Sequence, residues 1–361
     1  MNLQQTVSAL LMSLLTAVGL CSCGSSSNAS HLLYVTTGQG IYGFRINNKS
    51  GDSTPLPSAP FVIGNAPAGI ALSPSGQLVF VANEDDNTIS LLKIDPVSGI
   101  PSEILPRTPS GGFAPNQIAL DPTGSTLFVA NQLSNDVTAF SVSSSGALSL
   151  VSTAPVGSQP SGLAFANGLL FVAVPNFSRV YVFSANSGTL TAVNGSPFVV
   201  SNGLASVTVD SSAKFLYVPN PATNTISAFS IQFTASNNTM TLTAVPGSPF
   251  APTNGTIPVA PVAAVLDAAA THLYVTNFGS SSVSQFSVGT DGSLTSLTPP
   301  PVTVGSNPGF LVIDPTQKHI FVANVGSRTI TELSIKSDAT LGTTSTTITV
   351  PSVPQALTLT K

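Results

Sequence analysis

Apolar residues recur at every second position in short runs along most of the chain, and turn-forming residues separate the runs. This alternation is typical of half-buried β-strands, whereas a helix would repeat its apolar face every three to four residues. In one stretch the pattern predicts a turn at Asp121–Gly124, a second polar turn at 132–136, and four strands at Gln117–Asp121, Thr126–Asn131, Val137–Val142 and Leu148–Thr153.

The same unit is repeated seven times. Its most regular marker is an aromatic residue followed by valine, at Tyr34-Val35, Phe80-Val81, Phe128-Val129, Phe171-Val172, Tyr217-Val218, Tyr274-Val275 and Phe321-Val322. In five copies an asparagine follows the valine by two positions, at Asn83, Asn131, Asn220, Asn277 and Asn324. In six copies a proline precedes an apolar strand, at Pro67, Pro115, Pro160, Pro261, Pro308 and Pro354. Four strands every ~45 residues are typical of a propeller blade.

The two ends of the repeated region complement each other. The region opens with a second-strand segment, His31–Thr37, and closes with a first-strand segment, Pro354–Thr360. Pairing them would complete one blade and remove the exposed edges of an open array. We therefore expect an all-β, seven-bladed β-propeller over residues 31–361, with four antiparallel strands per blade and the C-terminal strand paired with the N-terminal blade.

Three motifs carry a family resemblance. They are the strand Phe128-Val129-Ala130-Asn131 and its copies, the Asp121-Pro122-Thr123-Gly124 turn, and the Gly-x-x-Pro link represented by Gly112–Pro115. They resemble the YVTN-type β-propellers and the lactonase family of seven-bladed propellers, which includes bacterial 6-phosphogluconolactonases. The resemblance covers residues 31–361 and implies the propeller fold. It also implies lactone hydrolysis by charged His, Glu and Arg residues in the funnel, but no motif here assigns those roles to particular positions.

The N-terminal residues resemble a bacterial lipoprotein signal. Val7–Leu20 is an apolar run too short to span a bilayer, and its length is typical of a signal-peptide core. In the lipobox-like Leu20-Cys21-Ser22-Cys23 that follows, the small Ser22 favours Cys23 over Cys21 as the lipidated residue. We expect a signal peptide at 1–22, then a lipidated cysteine and flexible linker at 23–30. An ordinary cleaved signal or a short anchor is the alternative, because no Lys or Arg precedes the apolar run.

Composition narrows the set of partners. Charged residues make up 7% of the chain, the net charge is −4, and the ten Lys and Arg residues are scattered, which argues against nucleic-acid binding. Both cysteines lie in the N-terminal segment, so the propeller has no internal disulfide. We expect an exported monomer that is held at the bacterial cell envelope by lipid alone, or is secreted if it is not lipidated.

In a propeller, the turns between second and third strands share one face with the links into the innermost strands, and that face holds the ligand funnel. Here the links and the strand starts carry neutral amides: Asn65, Asn116, Gln117, Gln159, Asn202, Asn307 and Gln355. Amides donate and accept hydrogen bonds but cannot act as bases near pH 7. They either form a polar ligand site or stabilise the turns.

Other candidate chemistry is sparse. The acidic turn Glu84-Asp85-Asp86 is a weak metal candidate, since solvated acidic turns are common. His31, His272 and His319 begin second strands on the face opposite the funnel, far apart around the ring. Gly38–Gly43 has the glycine spacing of a dinucleotide-binding loop, but it joins two strands instead of a strand and a helix. We expect no metal and no cofactor, and no catalytic residue is assigned.

Two functional hypotheses follow. The first is an exported surface propeller that binds a protein, peptide or glycan without catalysis; the second is a lactonase-like hydrolase. A phosphorylated lactone would need a basic clamp, whereas Arg45, Arg107, Arg179 and Arg328 are dispersed along the chain. The neutral funnel and the predicted export favour the first hypothesis. A structural envelope component is a third alternative.

Overall fold

A computed structural model describes residues 30–200, 203–252, 259–298 and 301–360, except for the side chains of 343–345. The predicted signal peptide, Cys23 and Asn202 therefore lie outside the described residues. Seven antiparallel sheets surround a central axis, and only two short 3-10 helices, Pro175–Phe177 and Ala235–Asn237, occur in the described ranges. The predicted seven-bladed, all-β propeller is confirmed.

Each blade has four consecutive strand positions, from the axis outwards. The innermost strands are β4 (Pro67–Leu72), β8 (Pro115–Leu120), β12 (Gly162–Ala166), β17 (Thr208–Val209), β21 (Pro261–Leu266), β26 (Pro308–Ile313) and β30 (Pro354–Leu359). The second strands are β1 (Ser30–Thr37), β5 (Leu78–Asn83), β9 (Thr126–Asn131), β13 (Leu169–Val174), β18 (Phe215–Asn220), β22 (His272–Asn277) and β27 (His319–Asn324).

The outer half of each blade is a hairpin. Its third strands are β2 (Gly40–Asn47), β6 (Thr88–Ile94), β10 (Asp136–Val142), β14 (Arg179–Asn186), β19 (Thr225–Thr234), β23 (Ser282–Val288) and β28 (Thr329–Ile335). The outermost are β3 (Ser53–Pro55), β7 (Pro101–Pro109), β11 (Leu148–Pro155), β15 (Thr189–Ala192), β20 (Thr239–Ala244), β24 (Leu294–Ser296) and β29 (Leu341–Thr349). Two blades have a fifth, short strand: β16 (Phe198–Val199) pairs with β14, and β25 (Val302–Thr303) pairs with β23.

The ring closes as the chain ends predict. Strand β30 pairs antiparallel with β1, placing Val35 opposite Leu357 and Leu33 opposite Leu359. We number this composite sheet blade 1, and the blades that begin at β4, β8, β12, β17, β21 and β26 are blades 2 to 7. Neighbouring innermost strands contact each other around the whole circle, including β30 with β4 and β30 with β26.

The aromatic-valine pair works because each second strand is buried on both sides. In blade 3, Phe128 packs into the apolar cluster shared with blade 4, whereas Val129 packs into the cluster shared with blade 2. The same division holds in every blade: the aromatic ring faces the next blade and the valine faces the previous one. Burying one such side chain contributes about 1.5–3 kcal/mol. The repeated motif is therefore an inter-blade connector.

The tyrosines of the motif also make polar contacts between blades. Each donates its hydroxyl hydrogen to a carbonyl of the next blade's turn between third and fourth strands: Tyr34 to Gly99 O at 2.6 Å, Tyr274 to Ala339 O at 2.8 Å and Tyr217 to Gly292 O at 3.1 Å. Burial raises the pKa of all three phenols, so they remain protonated donors.

Blade 5 lacks the proline marker and has the shortest innermost strand. Strand β17 spans two residues, while the six copies with the proline form five- or six-residue strands. Side-chain bonds to blade 6 hold this segment instead: Ser206 Oγ donates to Val262 O at 2.8 Å and Thr208 Oγ1 to Ala264 O at 2.7 Å.

The recurring asparagine anchors the turn that follows it. Asn83 is fully buried, and its Nδ2 donates to Thr88 Oγ1 and Ser90 Oγ, at 3.0 and 2.9 Å. Gly64, the glycine of the Gly-x-x-Pro link, lies directly over this amide: a Cβ added there would be 2.4 Å from Asn83 Cγ. Gly112 and Gly305 lie in the same way over Asn131 and Asn324. The glycine of the link and the recurring asparagine are therefore in close contact within each of these blades.

The interface between blades 7 and 1 contains buried ionisable side chains. Its buried His319 and Glu332 are joined by a hydrogen bond of 2.5 Å between Nδ1 and Oε1. Buried His31 of blade 1 brings its Nε2 within 3.8 Å of Asp314 Oδ2. The Glu332 hydrogen bond raises the pKa of His319 above the ordinary 6.5, against the effect of burial, and the Asp314 charge adds to the rise while Lys318 opposes it.

We expect a pH dependence of stability from this pair. A raised pKa in the folded state means that His319⁺ stabilises the protein fully below pH 6.5, and that this contribution is lost as the pH rises through the folded-state pKa. Urea unfolding measured from pH 6 upwards should show a smaller loss of unfolding free energy in His319→Gln than in the wild type. His272→Gln, at the same strand position of blade 6, is the control. Parallel profiles for all three proteins would contradict the assignment.

We also expect Gly64→Ala to destabilise the protein by about 1–3 kcal/mol, because overpacking displaces the buried Asn83 amide. Gly38→Ala is a matched control: the nearest atom to its added Cβ is Ser352 Oγ at 3.9 Å, and its φ is not left-handed. That control should change the unfolding free energy by less than about 0.5 kcal/mol. Equal losses in urea unfolding would refute the pairing of glycine with asparagine.

Candidate functional site

One face of the disc carries the turns between second and third strands and the links into the innermost strands. In blade 2, for example, Pro67 lies opposite Asn83 and Thr88 opposite Pro109, so all four chain segments end at this face. We call it the funnel face. The histidines that begin β22 and β27 lie at the opposite face.

A central cavity of about 370 Å³ opens among the innermost strands of blades 3 to 7. Its polar side chains are Gln117, Ser161 and Ser206, and its aromatic ones are Phe278 and Phe310. Among the described residues, no charged side chain lines it.

Several polar groups near this cavity bond to the neighbouring blade. Asn116 Nδ2 donates to Pro160 O at 3.1 Å, and Ser161 Oγ donates to Ala205 O at 2.8 Å. With Ser206, these bonds connect blades 3, 4, 5 and 6 in succession. Asn116 therefore braces the ring, whereas its neighbour Gln117 lines the cavity.

The predicted amides do not all converge. Asn307 has a left-handed backbone with φ of 53° and donates to Phe278 O at 3.2 Å, as a turn residue does. Gln159 and Gln355 are exposed. Asn65 donates its backbone N–H and its Nδ2 to the two carboxylate oxygens of Asp86, at 2.7 and 2.8 Å. Of the described candidates, only Gln117 lines the central cavity.

Blade 2 carries a group of ion-paired side chains. Arg107 makes a bidentate pair with Glu103, at 2.7 and 3.1 Å, and approaches Asp86 Oδ2 at 3.9 Å. Glu103 also accepts a hydrogen bond from Ser90 Oγ at 2.5 Å. These groups line or support an open groove of about 790 Å³. They already satisfy one another, as in a structural ion-pair network.

Glu84 is placed differently. It follows Asn83, and its backbone N–H donates to Ala66 O, as that of Phe278 does to Ala260 O and that of Val325 to Asn307 O. Since Phe278 and Val325 line the central cavity, Glu84 occupies the equivalent rim position in blade 2. Its partly buried carboxyl accepts no hydrogen bond from any residue that the structure describes.

Glu84 also lines a separate pocket of about 310 Å³ between blades 2 and 3. Its lining includes the neighbouring Asp85 and Asn87 and, from blade 3, Phe113 and Leu133. Burial raises the pKa of Glu84, and the Asp85 carboxylate raises it further. A carboxyl with a raised pKa in a partly apolar pocket is a common form of general acid or base.

Asn87 adds a positioned donor to the pocket. Its Oδ1 accepts the backbone N–H of Ala114 at 2.7 Å, which fixes the amide plane, and its Nδ2 donates to no described residue. The pocket lining thus combines a carboxyl with a raised pKa and an amide N–H donor. These are two of the groups that acyl-transfer chemistry requires.

The acidic turn, a weak metal candidate in the sequence, is divided between two environments. Glu84 and Asp85 line the inter-blade pocket, while Asp86 lies in the groove with Asn65. Across the described ranges, no three His, Cys, Asp or Glu side chains are grouped as metal ligands. Nor does any helix of those ranges have the length and apolarity to cross a membrane.

Sequence reasoning singled out Glu84 only as part of a weak metal candidate, because an acid in a turn has the same local pattern whether or not it is solvated. The available signal was positional. At the corresponding place after each second strand the other blades carry neutral residues: Gly38, Gln132, Pro175, Pro221, Phe278 and Val325. Glu84 is the one ionisable residue in this series.

Comparisons with known proteins agree with this architecture. Residues 51–174 match the family model "Lactonase, 7-bladed beta-propeller", and this segment contains the whole Glu84 pocket. No curated protein sequence matches the chain.

Three solved structures share the fold. A candidate 6-phosphogluconolactonase from Bacteroides fragilis has a TM-score of 0.79 at 21% identity, over 93% of this chain and 99% of its own. The periplasmic gluconolactonase of Pseudomonas aeruginosa gives 0.79 at 20%, over 92% and 99%. A candidate 6-phosphogluconolactonase from Bacteroides uniformis gives 0.77 at 19%, over 91% and 99%. At such identities the likeness establishes the fold alone. The resemblance to the lactonase-type seven-bladed β-propellers is thereby confirmed.

Proposed function

We propose that this protein is a hydrolase that opens an uncharged lactone in the pocket between blades 2 and 3. The observation that carries the proposal is the Glu84 carboxyl, which lies on the funnel face without a hydrogen-bond partner among the described residues and has a raised pKa. The match of residues 51–174 to a lactonase model supports this hypothesis better than a non-catalytic binding or scaffold module.

In the proposed reaction, the Glu84 carboxylate removes a proton from a water molecule as the water oxygen bonds to the lactone carbonyl carbon. The tetrahedral intermediate then collapses, and the bond between the carbonyl carbon and the ring oxygen breaks. Protonated Glu84 returns its proton to the departing ring oxygen. The product is the open hydroxy acid, and the carboxylate is regenerated for the next cycle.

Asn87 has the chemistry to stabilise the intermediate. Negative charge develops on the former carbonyl oxygen, and an N–H donor that is already oriented stabilises it without reorganisation. The bond from Ala114 N–H to Asn87 Oδ1 supplies that orientation. We therefore assign the oxyanion contact to Asn87 Nδ2.

The pocket's charge favours a substrate without a phosphate group. Glu84 and Asp85 contribute two carboxyls, and no Lys or Arg is among the described residues that line the pocket. A phosphate would be repelled and would lack a cationic partner. A neutral lactone avoids both costs.

We expect Glu84→Gln to lower kcat/KM for hydrolysis of neutral δ-lactones by about 10²–10⁴-fold, the usual contribution of a general base. D-glucono-δ-lactone, its 6-phosphate and δ-valerolactone, each assayed by pH-stat titration, form the substrate set. The 6-phosphate should be the poorest of the three. Glu103→Gln, which alters a carboxyl outside the pocket, is the control. Equal activity of Glu84→Gln and the wild type would refute the proposal.

Asp85→Asn distinguishes a base from a structural carboxyl. The Asp85 charge raises the pKa of Glu84, so its removal should lower that pKa. Since the base must be deprotonated, the acidic limb of the kcat/KM profile should move to lower pH in Asp85→Asn. If the acidic limb of the kcat/KM profile lies at the same pH in Asp85→Asn and in the wild type, Glu84 is not the base of the reaction.

We further propose that the protein is exported and lipidated at Cys23. Strand β1 begins at Ser30, beside Asn47 and on the face opposite the funnel. A tether from Cys23 to Ser30 reaches at most about 25 Å. The funnel face would thus point away from the membrane, open to soluble substrates. Metabolic labelling with an alkyne fatty acid should be abolished by Cys23→Ala and retained by Cys21→Ala; the reverse pattern would refute the assignment.

A further inference from the structure

Exposed apolar side chains are unevenly distributed over the disc. Among the large ones in the described ranges, Val97 alone lies in a turn of the face opposite the funnel, and four lie on outermost strands. The funnel face carries the remaining six: Val62, Phe113, Leu133, Phe177, Val199 and Phe278. Clustered exposed apolar residues mark binding surfaces.

Phe113 and Leu133 are the two that share the pocket with Glu84. They are 61% and 64% exposed, although both belong to ordered turns. Leu133 N–H donates to Phe113 O at 3.1 Å, and Phe113 N–H donates to Ser134 Oγ at 2.9 Å. Their backbones are held in place while their side chains remain uncovered. Together they form an apolar wall of the pocket that Glu84 lines from blade 2.

The pocket's size limits its occupant. A volume of about 310 Å³ is at the lower end of the range for small-molecule sites, ~300–1,000 Å³. At ~30 Å³ for each non-hydrogen atom, the share of a water molecule in the liquid, it holds roughly ten such atoms. A stable protein interface would bury roughly 800 Å² on each partner. The dimensions fit a small molecule with an apolar portion.

We infer that the substrate is a lactone that carries a short apolar substituent, and that Phe113 and Leu133 form the subsite for that substituent. This inference rests on the proposed function. A δ-lactone ring with a three-carbon chain has ten non-hydrogen atoms and fills the pocket. Sugar lactones, whose hydroxyl groups would lie against the Phe113–Leu133 wall without partners there, are poorer substrates.

A chain-length series tests the subsite. The substrates are δ-lactones with no substituent and with methyl, propyl and pentyl groups at the carbon that bears the ring oxygen. We expect kcat/KM to rise up to about fourfold per added methylene as far as propyl, from ~0.8 kcal/mol for each buried methylene, and then to level off. The wild type should also prefer the propyl lactone to D-glucono-δ-lactone.

The double variant Phe113→Ser, Leu133→Ser should lose this dependence of kcat/KM on chain length. Val97→Ser, which removes an exposed apolar side chain from the opposite face of blade 2, is the matched control and should retain the series. Thermal unfolding of each variant confirms that it is folded. The subsite would be refuted if kcat/KM did not change along the series in the wild type, or if it rose equally in the double variant. The hydrolase proposal would not be affected by either result.

Binding of the propyl-substituted δ-lactam, measured by calorimetry, separates the subsite from the reaction. The lactam resists hydrolysis, so its affinity for the wild type and for Glu84→Gln reports on the pocket alone. Binding that is at least tenfold weaker in the double variant supports the subsite, even if no lactone is hydrolysed and the proposed reaction is thereby refuted. Absence of lactam binding to the wild type would overturn the subsite whatever the hydrolysis assays give.

Discussion

The two-sided burial of the second strand is the constraint on which this structure depends. Phe128 and Val129 are neighbours in sequence but pack into different apolar clusters, one on each side of blade 3. A single blade would therefore expose one apolar layer on each side. Only a closed ring gives every layer a partner, and the pairing of β30 with β1 completes that ring. Each of the seven apolar clusters lies between two blades, so the stability of the protein depends on the complete ring.

This arrangement also determines where chemistry can occur. Near the axis, space is limited, and the polar groups of Asn116, Ser161 and Ser206 bond to the next blade. The turns of the funnel face lie farther from the axis. Each can be held at its base by a buried asparagine such as Asn83, which leaves the outer side chains of the turn free to vary. A partly buried carboxyl such as Glu84 can persist there. Its raised pKa follows from the apolar blade interface that the ring requires.

The fold could be predicted almost completely from the sequence, but the site could not. Strand Thr126–Asn131 has the predicted ends, and β8 and β10 begin within two residues of theirs, because alternation and turn residues are local signals. The predicted amides do not all line one site. Asn116 and Gln117, for example, are adjacent in an extended strand, so their side chains point in opposite directions. Glu84 gains its environment from Phe113 and Leu133, which belong to the next blade. No local pattern contains that information.

In a ring of like blades, the departures from the repeat are the informative positions. Glu332 is one departure, since Leu91, Ala139 and other uncharged residues stand opposite the motif aromatic elsewhere. Its carboxylate is paired with His319, which makes it part of the interface between blades. Glu84 is another departure, but the described residues leave its carboxyl unpaired. A carboxylate that is paired within the fold contributes to the architecture, whereas an unpaired one can contact a ligand. The site that we propose lies at a departure of the second kind.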